Sequence, residues 1–371
     1  MTAKMNISLL DLKSQYRSMK DEIGTAIQKI LDSQSFIMGP EIAALESAIA
    51  KYSGAKFGVG VTSGTDALFL SLKALGIGDG DEVITTPFTF IATGGAIHNS
   101  GAKPVFCDID PRTFNINPDK IKSKVTKNTK ALMPVHLYGL MADMDPIMAL
   151  AKASGLKVIE DNAQSIGATY NGKTAGSIGD AGCISFFPGK NLGAYGDAGM
   201  VVTGDEALAQ KLKVLRVHGS RVRYIHEMIG FNCRLDNLQA AILLVKLKYL
   251  DGWTRKRQEN AAYYNSQFAG LPVRTPYVPA GYTHVYHQYT LRVPERRDAL
   301  MKYLNDNGIE ARVYYPIPLH LQECFKTLGY KKGDFPETEK AMGEAVSIPI
   351  DAELKPEQKE YIASQVKKFF A

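Results

Sequence analysis

Long apolar runs are missing from this sequence, and its few cysteines show no pairing pattern. No stretch reaches the roughly 18 apolar residues that a membrane-spanning helix needs, and residues 1–11 lack the basic flank, apolar block and cleavage site of a secretory signal. Cys107, Cys183, Cys233 and Cys324 stand far apart, with neither a CxxC pair nor histidines at zinc spacing. We therefore expect a cytoplasmic protein with reduced thiols, no membrane partner and no metal site.

Composition and charge narrow the class further. The 371 residues are 45% hydrophobic and 22% charged, which is typical of a globular protein with one large and one smaller domain and excludes disordered and fibrous classes. The formal net charge of +6 suits an anionic ligand, but no stripe of basic residues interleaved with aromatic ones is present. We therefore expect no nucleic-acid partner.

Short apolar runs alternate with amphipathic stretches, and this alternation predicts an α/β fold with a largely parallel sheet. The strand candidates are residues 57–62, 82–86, 104–108, 131–136, 157–161, 183–187 and 200–203. Helical spacing of apolar residues appears at 16–33, 66–75, 91–100 and 145–154. Ligands of such sheets gather at the carboxyl ends of the strands.

A different pattern begins after a helix-like run at 237–250. It consists of a helix candidate at 254–268, a proline-rich connector, a strand candidate at 287–293 and a helix and strand around 298–314. We place a boundary near Asp251. Residues 12–250 are then expected to form a large domain and residues 251–371 a small C-terminal α/β domain, with segment 1–11 packing near the small one.

Lys190 lies in the most informative segment, SFFPGKNLG at residues 185–193. The lysine follows a strand candidate, in a loop rich in glycine and proline that can hold an amine at a strand end. Taken alone, a lysine in this position is most often a solvated surface charge. Its role therefore depends on the segments around it.

Asp161 ends another apolar strand candidate, VIEDNAQ at residues 158–164. Such an acid can simply cap the next helix. It can also pair with a protonated pyridine nitrogen, which lets the ring accept electrons from a carbanion, while Gln164 hydrogen-bonds the phenolic oxygen of the same ring.

A phosphate site is predicted at TSGTDAL, residues 62–68, where a strand runs into a helix. Free N–H groups and the positive end of the helix dipole attract phosphate there. The alternative is an ordinary helix N-cap, which requires only the serine or threonine and no ligand. Ser185 offers a further hydroxyl to the same phosphate.

The overlapping GVGVTSG at 58–64 is similar to a dinucleotide fingerprint, but its spacing is wrong by one residue and its first glycines fall inside the strand candidate. Dinucleotide binding is therefore the weaker alternative.

The order of these motifs closely resembles the DegT/DnrJ/EryC1/StrS family of nucleotide-sugar aminotransferases, which have the fold type I architecture. The order runs from the phosphate loop through Thr89-Phe90, Asp161 with Gln164, Ser185 and Lys190 to GFNCRLD at 230–236. The resemblance covers nearly the whole chain, from Asp11-Leu12 to His320. It implies a large domain with a mostly parallel mixed sheet flanked by helices and a smaller α/β domain.

The resemblance also implies a role for each site residue. Lys190 is expected to carry pyridoxal 5'-phosphate as a Schiff base, Asp161 to bind the pyridine nitrogen, Gln164 the phenolic oxygen, Gly64, Thr65 and Ser185 the phosphate, and Phe90 the ring face. The family implies a homodimer with shared active sites. Asn232 would then reach the partner's phosphate and Arg234 the sugar, with Tyr314 and His320 as further candidates for substrate contact.

The implied reaction is transamination of a nucleotide diphosphate keto sugar, with glutamate as amino donor, 2-oxoglutarate as its product and pyridoxamine 5'-phosphate formed between the two halves. The run YYPIPLH at 314–320 looks like the branch that acts on 3-keto hexoses. Basic residues that suit the diphosphate, unless their loop is merely solvated, are Arg216, His218, Arg221, Arg223, His226 and Arg234. Other pyridoxal phosphate chemistry and a catalytically silent regulatory homologue remain alternatives. A silent homologue would be marked by loss of Lys190 or Asp161, and this sequence has both. The dehydratases of the family carry histidine at the position of the lysine, so Lys190 disfavours that reaction.

Overall fold

The computed structural model describes residues 4–371, and helices alternate with strands through the first half of the chain. The helices are α1 (Leu12–Ser33), α2 (Pro40–Tyr52), α3 (Gly64–Ala74), α4 (Ile91–Asn99), α5 (Pro118–Ile121), α6 (Met144–Ser154), α7 (Glu206–Leu215), α8 (Asn237–Leu247), α9 (Leu250–Gln267), α10 (Arg297–Asp306), α11 (Pro336–Glu344) and α12 (Pro356–Phe370). The strands are β1 (Phe57–Val61), β2 (Glu82–Thr85), β3 (Lys103–Phe106), β4 (Thr129–Leu132), β5 (Lys157–Asp161), β6 (Thr169–Tyr170), β7 (Lys173–Thr174), β8 (Ala181–Ser185), β9 (Gly199–Thr203), β10 (Ser220–Val222), β11 (Ile225–His226), β12 (Tyr282–Thr283), β13 (Tyr289–Arg292) and β14 (Ala345–Ile348). Within residues 4–371, no helix is both long and apolar enough to cross a membrane.

Seven strands form the central sheet, in the order β1-β9-β8-β5-β4-β2-β3. β9 runs antiparallel to both of its neighbours, and the other four pairs are parallel. Each strand candidate from the sequence overlaps one strand of this sheet. The predicted mostly parallel, mixed sheet flanked by helices is therefore confirmed.

The sheet is buried on both faces, as alternate residues of β9 show. Val201 packs in one hydrophobic cluster with Leu68 of α3. Met200 and Val202 belong to the other cluster, together with Leu243 of α8. Successive side chains of a strand point to opposite faces, so helices α3 and α8 cover opposite sides of the sheet.

Helix α3 begins directly at the carboxyl end of β1. Ser63 has an extended backbone, and its Oγ accepts a hydrogen bond from the Asp66 N–H at 3.0 Å. A serine in this position caps the helix by satisfying one of the N–H groups that have no partner in the first turn. The start of α3 is therefore held at the edge of the sheet where β1 ends.

Beyond α8, residues 250–371 build a hydrophobic cluster of their own, which we call the C-terminal cluster. β13 pairs antiparallel with β14, and side chains of α9, α10 and α12 pack beside this pair. Ile7 belongs to the same cluster, and its N–H donates to the Gly308 carbonyl at 2.7 Å. The division at residue 250, with the N-terminal segment beside the small domain, stays a prediction that the packing of Ile7 supports. Residues 1–3 of that segment lie outside the described residues.

The expectation of a helix followed by a strand around 298–314 is wrong in its second half. The helix is α10, but Arg312 makes only an isolated bridge with Ser347. The strand that pairs with β13 is β14, which follows α11 directly. Its four residues are too few for a strand period to stand out from the sequence.

Candidate active site

A cavity of about 530 Å³ opens at the carboxyl ends of the parallel strands. β1 points in the same direction as β5 and β8, because β9 lies antiparallel between β1 and β8. The predicted site residues that line this cavity are Gly64, Thr65, Phe90, Asp161, Gln164, Ser185, Lys190 and Tyr314. The structure thus brings together residues that are spread over 250 positions of the sequence.

Lys190 projects into the cavity from a closed loop that follows β8. The Lys190 N–H donates to the Phe187 carbonyl at 2.8 Å, and the Ala194 N–H closes the loop on the Phe186 carbonyl at 2.7 Å. Burial lowers the pKa of the Lys190 amine to about 8, although the negative charge of Asp161 opposes this shift. At pH 7 about a tenth of this amine is then unprotonated and nucleophilic, against less than about one part in a thousand for a lysine of ordinary pKa.

Asp161 lies at the end of β5 with only 5% of its surface exposed. Thr93 Oγ1 donates to one carboxylate oxygen at 2.7 Å, and the Ala163 N–H donates to the other at 3.2 Å. Burial raises the pKa of this carboxyl, while the hydrogen bonds and the Lys190 charge lower it. A buried carboxylate in this state gains stability from any cationic group placed beside it.

Glu160 fixes the end of β5 from the opposite face of the strand. Its buried carboxylate accepts hydrogen bonds from the N–H groups of Gly176, Ile178 and Gly179 at 2.6–2.8 Å and pairs with His136 Nε2 at 2.8 Å. His136 Nδ1 accepts the Ala142 N–H at 3.1 Å, so the ring proton resides on Nε2 and is donated to Glu160. This network holds the backbone that presents Asp161, and the sequence analysis did not find it.

Gln164 is oriented by two hydrogen bonds. Its Oε1 accepts the Tyr138 N–H at 2.7 Å, and its Nε2 donates to the Tyr315 hydroxyl at 3.0 Å. The second proton on Nε2 is left for a ligand. Tyr315 itself lines the cavity beside the predicted Tyr314.

At the far end of the cavity the backbones of α3 and β8 approach each other closely. A Cβ built on Gly64 would lie 2.6 Å from the Ser185 Cβ, so a larger residue at position 64 would displace the serine. Gly64 and Thr65 contribute the first N–H groups of α3, which have no acceptor within the helix. Together with the Ser185 hydroxyl they form a small polar pocket of the kind that binds phosphate.

The remaining predicted residues do not line this cavity. Asn232 is exposed and bridges to Val217, whereas His320 is buried and its Nε2 lies 3.1 Å from Glu339. Arg221 and Arg223 stand on the exposed hairpin β10–β11, and Arg234 is half-buried outside the cavity. Their substrate contacts stay predictions.

The expectation that Arg216 belongs to a basic cluster for the diphosphate is wrong. Its guanidinium is buried, pairs with Glu46 and donates to the Gly60 carbonyl at 2.7 Å. It therefore stabilises the packing of α2 against β1 and is unavailable to a diphosphate.

Three other residues in and around the cavity were missed by the sequence analysis. Thr93 follows the noted Thr89 by one helical turn, and that i, i+4 spacing was the available sign. His287 lines the cavity, shares a hydrogen bond with Asn191 at 3.2 Å, and is kept neutral because burial lowers its pKa well below the usual range. Tyr315 stood next to Tyr314 in the quoted run.

The donors and acceptors of the cavity fit pyridoxal phosphate. The buried Asp161 is held by hydrogen bonds from Thr93 and Ala163 and would be stabilised by a cation beside it, the Gln164 amide has a spare proton, and the helix start at Gly64 offers N–H groups with no acceptor in the helix. Lys190 supplies an amine of lowered pKa. A lysine, a carboxylate and an anion pocket on this fold define the class of fold type I pyridoxal phosphate enzymes.

Comparison with known proteins agrees with this class. The crystal structure of S. venezuelae DesV in complex with ketimine intermediate superimposes with a TM-score of 0.96 and 41% identity over 98% of each chain. A curated relative from Acidithiobacillus ferrooxidans, named UDP-N-acetyl-3-dehydro-alpha-D-glucosamine 3-aminotransferase, is 47% identical over 99% of each chain. Another from Geobacillus stearothermophilus, 53% identical over 99% of each chain, is named pleiotropic regulatory protein.

The sequence model of the DegT/DnrJ/EryC1/StrS aminotransferase family matches residues 17–367. The chain belongs to this family and is a pyridoxal phosphate-dependent sugar aminotransferase. The resemblance found in the sequence is thereby confirmed.

We expect pyridoxal phosphate to attach to the apoenzyme at a rate that rises with pH and levels off above about 8. Only the unprotonated amine attacks the cofactor's carbonyl, and Lys190 loses its proton near pH 8 instead of near its usual 10.5. Stopped-flow absorbance after mixing apoenzyme and cofactor, from about pH 6 to about pH 11, measures this rate. A rate that still climbs steeply above about pH 9 would contradict the lowered pKa.

Proposed function

We propose that this enzyme moves the amino group of glutamate to the keto carbon of a nucleotide-linked 3-keto hexose, giving 2-oxoglutarate and a nucleotide-linked amino sugar. The observation that carries the proposal is the single cavity that holds the Lys190 amine, the Asp161 carboxylate and the Gln164 amide. The name of the A. ferrooxidans relative supports a 3-keto sugar as the acceptor. We place the reaction in the cytoplasm.

Lys190 is the residue that we propose to bind the cofactor covalently. When bound, pyridoxal phosphate supplies the carbonyl that accepts the amino group and a ring that withdraws electrons from the reacting carbon. Once the amino substrate has displaced it, the freed Lys190 amine would take the proton from the α-carbon of glutamate and hold it on its Nζ until it is returned. The same amine reverses these steps for the sugar.

Each remaining contact has a proposed ring or phosphate partner. Asp161 would keep the pyridine nitrogen protonated, because its buried carboxylate gains stability from a cation placed beside it. Gln164 donates its free proton to the phenolic oxygen, and Phe90, whose side chain is 53% exposed at the cavity, covers one ring face. The N–H groups at Gly64 and Thr65 and the Ser185 hydroxyl bind the phosphate.

The charges of the cavity support a site completed by a second copy of the chain. Among residues 4–371, the lining contains one lysine or arginine side chain, Lys190. Glutamate carries two carboxylates and the sugar a diphosphate, and such groups are normally bound by arginine or lysine. We therefore propose a homodimer in which Asn232 and Arg234 reach the partner's site, with Tyr314 and His320 as the weaker contacts within one chain.

The hairpin β10–β11 has the exposure expected of a subunit contact. On the hairpin the side chains of Val222, Tyr224 and Ile225 are 60%, 79% and 62% exposed, and Ile229, three residues beyond β11, is 90% exposed. Apolar groups of this size are rarely left clustered in water unless a partner covers them. Arg221 and Arg223 on the same hairpin would then face the nucleotide in the neighbouring site.

Arg221→Gln and Arg223→Gln are expected to raise the KM for the sugar by about 10-fold to 100-fold, the loss typical of one charge-assisted hydrogen bond. The glutamate half-reaction should change much less, because its donor is not held by the diphosphate contacts. Steady-state kinetics gives the first quantity and single-turnover absorbance the second. Arg255→Gln, an exposed arginine on α9, is the matched control; equal losses in both halves would argue against the assignment.

The visible absorption spectrum tests the function as a whole. The cofactor-loaded enzyme should show a yellow band that glutamate bleaches, and that keto sugar restores. Bleaching by glutamate selects transamination over other pyridoxal phosphate chemistry. A protein that stays colourless with added cofactor would instead favour a silent regulatory homologue, the reading that the name of the G. stearothermophilus relative suggests.

A further inference from the structure

A segment near the N-terminus, residues 7–11, passes along the cavity before α1 begins; we call it the strap. Its main chain is bonded to the C-terminal region at successive points. The Glu310 N–H donates to the Ile7 carbonyl at 2.8 Å, and the Glu310 carboxylate accepts the Leu9 N–H at 2.9 Å. The Asp351 carboxylate accepts the Asp11 N–H at 2.6 Å.

Asp351 is itself a rigid anchor. Its second carboxylate oxygen accepts a hydrogen bond from Arg257 at 3.1 Å, and its carbonyl accepts one from Asn260 at 2.8 Å. All three residues are at least nine-tenths buried. The position of the strap is therefore set by residues 250–371, although the strap leads directly into a helix that packs on α8.

Between these anchors, Leu9 and Leu10 line the cavity. A Cβ built on Gly189 would lie 3.4 Å from the Leu10 Cδ1, so the strap rests against the loop that presents Lys190. Ile348 and Ile350 also line the cavity, just before the Asp351 anchor. These four hydrocarbon side chains form what we call the strap wall.

The strap wall contributes no residue to the proposed cofactor contacts: those within one chain lie between residues 64 and 190, and the contact proposed across the dimer is Asn232. The group that meets the wall is then a substrate. Leucine and isoleucine offer no hydrogen bond, so a carboxylate or hydroxyl pressed against them loses its water without compensation. A methyl group in the same place gains free energy from burial.

We propose that the strap wall selects nucleotide-linked hexoses whose C6 group is apolar, such as a methyl, over those with a carboxylate there. Leu9 and Leu10 are thus specificity-determining residues for the sugar. The inference rests on the proposed function, because it concerns the second substrate of that reaction.

Equilibrium binding tests the wall without turnover. Enzyme loaded with pyridoxamine phosphate cannot react with an amino sugar, so calorimetry gives a dissociation constant alone. The probes are three nucleotide-linked 3-amino hexoses that differ only at C6, which carries a methyl, a hydroxymethyl or a carboxylate group. The wild type should bind the methyl sugar at least about 100-fold more tightly than the carboxylate sugar.

Leu10→Ala should weaken binding of the methyl sugar by about 10-fold or more, the effect of losing hydrocarbon from an apolar pocket, and change the carboxylate sugar by less than about twofold. Leu9→Ala should act in the same direction. Leu12→Ala is the matched control, because Leu12 is 41% exposed at the start of α1 and does not line the cavity. Both leucines of the strap are only half-buried, so their loss should leave the unfolding temperature nearly unchanged.

Two results would overturn the strap wall: a wild type that binds the carboxylate sugar as tightly as the methyl sugar, or a Leu10→Ala variant that weakens all three sugars equally. Bleaching by glutamate separates this failure from that of the proposed function. Normal bleaching with no discrimination between sugars would rule out only the proposed selection by the strap wall. Absent bleaching would rule out transamination itself.

Discussion

Turnover of the Lys190→Ala variant is expected to fall by at least about 10³-fold, since the variant loses the residue that we propose to bind the cofactor covalently and to carry the proton. Lys190 has the only ammonium among the described residues that line the cavity, so no neighbour takes over its role. Borohydride should fix the cofactor to the wild-type peptide that contains Lys190 and leave the variant unlabelled by mass spectrometry. Turnover near the wild-type level would show that Lys190 does not bind the cofactor covalently.

Two controls separate chemistry from damage to the fold, and a third experiment tests the sharing of sites between subunits. Lys190→Arg keeps the positive charge but not the nucleophilic amine, and it should be as inactive as the alanine variant. A small primary amine in solution should restore part of the proton transfer in Lys190→Ala. Mixed dimers of Lys190→Ala with Arg234→Ala should regain activity if, as proposed, the two residues of one site come from different subunits.

Asp161→Asn is expected to lower the rate of the glutamate half-reaction by about 10²-fold to 10³-fold, the loss typical of one preorganised electrostatic contact. Asparagine keeps the size of the side chain and can still accept the Thr93 hydrogen bond, but it lacks the charge that we propose to keep the ring nitrogen protonated. Single-turnover absorbance gives the rate, and equilibrium dialysis gives the affinity for the cofactor, which should also weaken.

Asp197→Asn provides the comparison, because Asp197 is an exposed carboxylate that lines the same cavity. Its removal should change the half-reaction by less than about threefold, as expected for a solvated charge. An Asp161→Asn rate within about tenfold of the wild type would mean that the ring nitrogen needs no carboxylate, and the role of Asp161 would reduce to its hydrogen bonds with Thr93 and Ala163.

The strands of the sheet were predictable because they are short apolar runs buried on both faces. Lys190, Asp161 and Ser185 could be placed together for the same reason: each lies at or just after the carboxyl end of a strand, and those ends share one edge. The motif order then assigned their roles by resemblance.

The rest of the cavity could not be read from local patterns. Leu9, His287 and Ile348 reach it through tertiary packing, and none has a motif around it. Tyr315 orients Gln164 across 151 positions of sequence. Arg221 and Arg223 lie outside the cavity of their own chain. In the proposed homodimer their ligand would depend on how the second chain packs, and the spacing of residues in the sequence does not reveal that packing.

The hydrogen bonds of the strap join residues 301 and 340 positions apart. During synthesis, therefore, the strap leaves the ribosome long before either of its anchors. N-terminal portions of a chain begin to fold as they emerge, so the sheet can assemble while Leu9 and Leu10 have nothing to hold them over its edge. The strap's side of the cavity is completed only when Asp351 has been translated, and a nascent chain that stops short of it lacks the anchor that holds Leu9 and Leu10 there.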